Sequence, residues 1–95
     1  MTTDILLVDD SRAFLAAITQ FLVQLPDVKV VGQAHNGHEA LSMALALRPD
    51  LVLLAIVMPE MDGLQVARAM QAWPHPPRIV FLSMQDSASF QGAFG

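Results

Sequence analysis

Residues 51–63 read Leu-Val-Leu-Leu-Ala-Ile-Val-Met-Pro-Glu-Met-Asp-Gly, an unbroken apolar run that passes into a loop marked by proline and glycine. A strand without polar alternation has to be covered on both faces, which places it inside a parallel sheet. Pro59 cannot donate to a sheet ladder and marks the strand's exit. Near the start of the chain, Ile5-Leu6-Leu7-Val8 runs into Asp9-Asp10 in the same manner. Two such strands with polar groups at their carboxyl ends predict an open α/β sheet, in which ligands sit at that edge.

Strand-like and helix-like segments alternate along the remainder, the pattern of crossover helices on a parallel sheet. Phe14, Leu15, Ile18, Leu22 and Leu25 fall at helical spacing, and Pro26 is expected to end that helix. Val28–Ala34 alternates more and reads as a strand nearer the sheet edge. Asn36 predicts an N-cap, with Glu39 three residues on reaching back to the Asn36 amide. That helix continues through Leu41, Leu45 and Leu47 until Pro49. Leu51–Ala55 is the third strand. Asp62 and Gln65 repeat the cap pattern for a helix from 63 to about 72. Trp73-Pro74-His75-Pro76-Pro77 is a rigid loop, 78–83 a fourth strand, and Asp86-Ser87-Ala88 the start of a fourth helix. One domain spanning 1–95 is expected.

Composition then excludes several classes. Hydrophobic residues make up 54% and charged residues 15%, too apolar for a disordered chain. With no cysteine, neither a disulfide framework nor a thiolate metal site is possible. No apolar run approaches the roughly 20 residues of a membrane span, and no basic region precedes the first apolar run as a secretory signal requires. A cytoplasmic location follows as the expectation. A net charge of −4 with five basic residues argues against a nucleic-acid surface in this segment.

Asp9 and Asp10 are adjacent carboxylates, and like charges held close are costly unless they share a cation. A hard divalent ion such as Mg²⁺ suits them; the alternative is that one merely caps the helix starting near Ser11. His35, His38 and His75 show no metal-ligand spacing and read as surface or cap residues. Met43, Met58, Met61, Met70 and Met84 read as packing. Trp73 reads as packing at a helix end, with an interface role left open. No glycine-rich phosphate cradle follows the first strand, and no Asp-x-Asp or Ser/His/Asp set can be placed, so no enzyme activity is expected of this segment.

The two strand-loop segments resemble the response-regulator receiver domain of two-component signalling, whose third strand ends in a stretch like Leu-Leu-Asp-Ile-x-Met-Pro-x-Met-Asp-Gly. The resemblance implies a flavodoxin-like α/β fold with strand order 2-1-3-4-5 and helices on both faces. Only four βα units are present here, so an order 2-1-3-4 is expected, with the fifth strand and helix missing from a truncated domain. It also implies Mg²⁺ bound directly by Asp10, through water by Asp9 and by the backbone carbonyl of Val57, with Ser83 as the phosphate-sensing switch. The position of the phospho-acceptor aspartate is held by Ala55. A methyl group can neither attack phosphorus nor ligate magnesium, so phosphoryl transfer is expected to be abolished and the Mg²⁺ site weakened.

Substitute acceptors are poorly placed. Asp50 lies at the other end of the strand, about 16 Å away at roughly 3.3 Å per residue. Asp62 is engaged as a cap, and Glu60 sits in the loop. The implied partners are a histidine kinase and an output domain, with Asn36-Gly37-His38-Glu39-Ala40-Leu41 similar to receivers feeding transcriptional outputs. A missing fifth helix would uncover apolar sheet surface, predicting a homodimer or an element-swapped oligomer. Retention of Asp9, Asp10 and Ser83 around Ala55 fits a receiver altered at that one position. The alternative is a natural pseudo-receiver that works as a phosphorylation-independent interaction module.

Overall fold

The computed structural model describes residues 1–82, in which seven elements alternate: β1 (Thr3–Val8), α1 (Arg12–Leu22), β2 (Val28–Ala34), α2 (Gly37–Leu47), β3 (Leu51–Ala55), α3 (Gly63–Gln71) and β4 (Arg78–Leu82). Ser83, the helix predicted from Asp86 and the question of a fifth strand and helix lie outside the described residues. Every strand pairing is parallel, and the order is β2-β1-β3-β4. This is the predicted 2-1-3-4 arrangement, with β2 at an edge.

Strand alternation divides the core in two. Leu6, Val8, Val52 and Leu54 pack with Ala40 and Ala44 of α2 and with Val66, Ala67 and Met70 of α3. Ile5 and Leu7 face the other way, onto Leu15 and Leu22 of α1, with Leu51 and Leu53 half-buried beside them. Because β1 and β3 carry apolar residues at both parities, they require cover on both faces, and the three helices supply it. Trp73 packs half-buried against the α2–α3 side of the core, the packing role expected of it. Among the described residues no helix is long and apolar enough to cross a membrane.

The caps form as predicted, with one correction. Asn36 Oδ1 accepts from the Glu39 amide at 2.8 Å, and Asp62 and Gln65 make a complete capping box at the start of α3. Glu39, however, does not reach the Asn36 amide. Its Oε1 accepts instead from the His35 N–H and pairs with His35 Nδ1, both at 3.0 Å. The imidazole one residue upstream offers a second contact that the Asn36 backbone cannot match.

Helix α1 also stops earlier than Pro26 suggests. It ends at Leu22, and the Leu25 N–H bonds the Leu22 carbonyl in a tight turn at 3.0 Å. Leu22 is buried whereas Val23 and Leu25 are exposed, so the buried stripe of this helix has run out. The residue before a proline is in any case biased away from helix. Helix α2 closes at Arg48, in the left-handed region at φ 50°, with its N–H on the Ala44 carbonyl at 2.9 Å.

Candidate functional site at the carboxyl edge

In the parallel register Val8 pairs with Leu54, so the next residues along, Asp9 and Ala55, leave the sheet on neighbouring strands. The Asp9 N–H reaches across to the Ala34 carbonyl of β2 at 3.1 Å, fixing the turn out of β1. Asp9 is 3% exposed and Ala55 equally so, while Asp10 is exposed to solvent. Val57, two residues beyond β3, is 79% exposed. Asp9, Asp10 and Ala55 are thus brought to one end of the sheet, with Val57 in the loop that follows β3.

Asp9 carries the clearest signal of a missing charge partner. Its Oδ1 accepts from the Ser11 N–H at 2.8 Å, but its Oδ2 is buried and has no hydrogen-bond partner among the described residues. A buried anionic oxygen left unpaired is costly. Burial raises the Asp9 pKa above the usual carboxylate value; neighbouring Asp10 raises it further, against the opposing pull of the Ser11 amide. The expectation that one aspartate only caps α1 is not met, because Ser11 Oγ takes the Phe14 amide and is the cap itself. A hard cation satisfies an orphaned carboxylate oxygen beside a second, exposed carboxylate, and Mg²⁺ accepts one or two carboxylates plus waters. The residues present fit such an ion. Among the described residues no group of three or more acidic or histidine side chains converges.

A pH and substitution prediction follows from the raised pKa. A carboxyl group titrating higher in the folded than in the unfolded chain contributes stability below its ordinary value, and that contribution is lost as pH rises through the folded pKa. Ionised Asp9 therefore opposes folding at neutral pH when no cation is bound. Asp9→Asn is expected to raise the melting temperature at pH 7 without Mg²⁺ and to shrink the stabilisation that added Mg²⁺ provides. Melts of both chains with and without the ion check this; a lower melting temperature for the variant without Mg²⁺ contradicts it.

Two other acids, Asp50 and Asp62, are committed elsewhere. Asp50 sits at the opposite end of β3, where its Oδ2 accepts from the Asp4 N–H at 2.8 Å. Asp62 Oδ1 accepts from the Gln65 N–H at 2.9 Å. Glu60 is exposed in the loop at φ 69°. Sequence reasoning missed a chain of contacts at the rim. Arg12 Nη1 lies 3.4 Å from His35 Nε2, and His35 Nδ1 lies 3.0 Å from Glu39. With the ring proton on Nδ1, the bare Nε2 is the acceptor for Arg12. The His35-to-Glu39 spacing was legible once α2 was placed, but the Arg12 contact depends on β1 and β2 being neighbours.

A family profile described as "Response regulator receiver domain" matches residues 5–94. The protein-glutamate methylesterase/protein-glutamine glutaminase of Pseudoalteromonas atlantica is 39% identical over 93 residues, covering 98% of this chain and 24% of that protein. The chain therefore spans about a quarter of that relative's length. Among solved structures, the signal receiver domain of NarL from Mycobacterium tuberculosis is 33% identical with a TM-score of 0.83, covering 98% of this chain and 77% of that one. A crystal structure of the P1 domain of CheA3 in complex with CheY6 from R. sphaeroides matches at 38% identity and a TM-score of 0.77, covering 92% of this chain and 67% of the matched one. By fold, strand order and sequence, this chain belongs to the response regulator receiver domain family.

Proposed function

We propose that this receiver domain keeps the cation-binding half of its phosphorylation site and lacks the half that accepts phosphate. The observation that carries the reading is Ala55, a buried methyl group on β3 next to Asp9, whose Oδ2 has no partner among the described residues. Asp10 and the Val57 carbonyl are assigned as direct Mg²⁺ ligands, Asp9 as a ligand through water and Ser83 as the switch hydroxyl. Mg²⁺ binding is weakened because a third carboxylate is missing. When bound, the ion would supply charge neutralisation, but no oxygen at position 55 stands ready to attack phosphorus.

The partner favoured by this reading is a histidine kinase, consistent with the CheA3–CheY6 complex among the similar structures. A transcriptional output, expected from residues 36–41, draws no support from the methylesterase relative. That relative favours an enzymatic output carried outside these residues, with the receiver as its regulatory part. A cytoplasmic setting suits either output. Mixing the chain with a radiolabelled phospho-histidine kinase tests the acceptor assignment. The label is expected to stay on the kinase, and label appearing on this chain refutes the reading.

A second reading, self-association through the sheet, is favoured by one observation. Val80 of β4 is 46% exposed beside half-buried Leu53, its register partner, on the face that α1 covers over β1. Light scattering on a sizing column is expected to show a dimer at high concentration. A monomer under those conditions removes this reading and leaves the first intact.

A further inference from the structure

At the end of the sheet opposite Asp9, a cleft of about 900 Å³ opens between the C-terminus of α2 and the 73–78 segment leading into β4. That volume falls within the range of small-molecule sites. Arg48 and Arg78 both line it. Strand order brings their segments together: Arg78 pairs with Leu51 in register, and its N–H donates to the Asp50 carbonyl at 3.0 Å. The ion pair found among the described residues joins His35 to Glu39, so neither arginine has a carboxylate partner there. Asp50, the carboxylate of the cleft, already has its Oδ2 engaged by the Asp4 N–H. An acidic chain with five basic side chains therefore places two of them in one cleft, neither in an ion pair among the described residues. Arg48 holds its place in a left-handed conformation that favours glycine.

The apolar wall is equally defined. Trp73 is half-buried and anchored against the core, exposed Leu45 also lines the cleft, and the prolines of the 74–77 turn stiffen the segment. Guanidinium groups bind carboxylate and phosphate in fork geometry, and an indole offers a flat face for a ring.

We propose that this cleft binds an aromatic anion, a phosphate or carboxylate group borne on a ring, with Arg48 and Arg78 on the anionic group and Trp73 against the ring. The site is separate from the carboxyl edge and stands or falls independently of the phosphorylation reading. Trp73 is the chain's single tryptophan and there is no tyrosine, so intrinsic fluorescence reports directly on the cleft. The chain is titrated with phenyl phosphate and, separately, benzoate, in chelator so that Mg²⁺ cannot recruit either ligand to Asp9 and Asp10. A saturable fluorescence change is expected with at least one of them. Benzyl alcohol, which has the ring without the charge, should bind about tenfold more weakly, the worth of one charged hydrogen bond. The double variant Arg48→Gln, Arg78→Gln should weaken the anion by about tenfold or more on the same grounds. Both side chains are exposed, and circular dichroism checks that the fold is kept. No saturable change with either anion, or benzyl alcohol binding as tightly as the anion, overturns the proposal. So does an unchanged affinity in a folded double variant.

Discussion

Replacing Ala55 with aspartate is expected to let the domain take about one phosphoryl group per chain from a small phosphodonor with Mg²⁺, where the alanine chain is expected to take none. The variant should also become dependent on the ion for its stability. Position 55 is buried beside Asp9, one oxygen of whose carboxylate lacks a partner among the described residues. A third negative charge there, without a cation, should cost on the order of 2–3 kcal/mol or more, since buried unpaired charge is poorly tolerated. Mg²⁺ at about a hundred times its Kd should return about 2.7 kcal/mol by mass action. Urea melts with and without Mg²⁺, together with intact mass, measure both effects. A variant that neither gains phosphate nor responds to Mg²⁺ more strongly than the parent would show that the geometry at this edge is not that of an acceptor site.

Gly63 is the second position where a single change should have a large effect. Its N–H donates to the Ile56 carbonyl at 2.7 Å, drawing the start of α3 onto the end of β3. A Cβ added there would overlap the Ala55 carbonyl oxygen and sit 2.9 Å from the Ile56 Cα. The three nearest atoms are all backbone of Ala55 and Ile56, so no rotamer change relieves the overlap. Gly63→Ala should cost about 3 kcal/mol, at the upper end of overpacking penalties, because either β3 or the helix start must shift. Leu64→Ala, one residue on and exposed, should stay within about 0.5 kcal/mol. Urea midpoints of the two variants compare these directly, and equal midpoints would contradict the close-approach account. The same shift should loosen the 56–62 loop that carries Val57, so Gly63→Ala is also expected to weaken Mg²⁺ binding.

Much of the architecture was legible because its signals are local. β1 and β3 carry apolar residues at both parities, and only interior parallel strands need that. The Asn36 and Asp62 caps follow from side chains bonding amides three residues ahead. Local signals fail where neighbours compete. Pro26 suggested the end of α1, but the last buried position, Leu22, decided it. Glu39 took the His35 amide and ring in place of the Asn36 amide because two donors outbid one.

The site divides in the same way. That two aspartates lie at a strand end could be read directly, but which one is buried could not. Adjacent side chains leave a strand in opposite directions, and the turn after Val8 puts Asp9 inside and Asp10 in water. The cleft holding Arg48, Arg78 and Trp73 was invisible along the chain, since its parts lie 30 residues apart in sequence from Arg48 to Arg78 (78 − 48). Only the adjacency of β3 and β4 joins them.

The acceptor assignment is tested most directly by intact mass spectrometry of this chain after incubation with a small phosphodonor and Mg²⁺. An unchanged mass is the result predicted by a methyl group at position 55. A stoichiometric phosphate adduct, mapped to Asp9, Asp10 or Glu60, would contradict it.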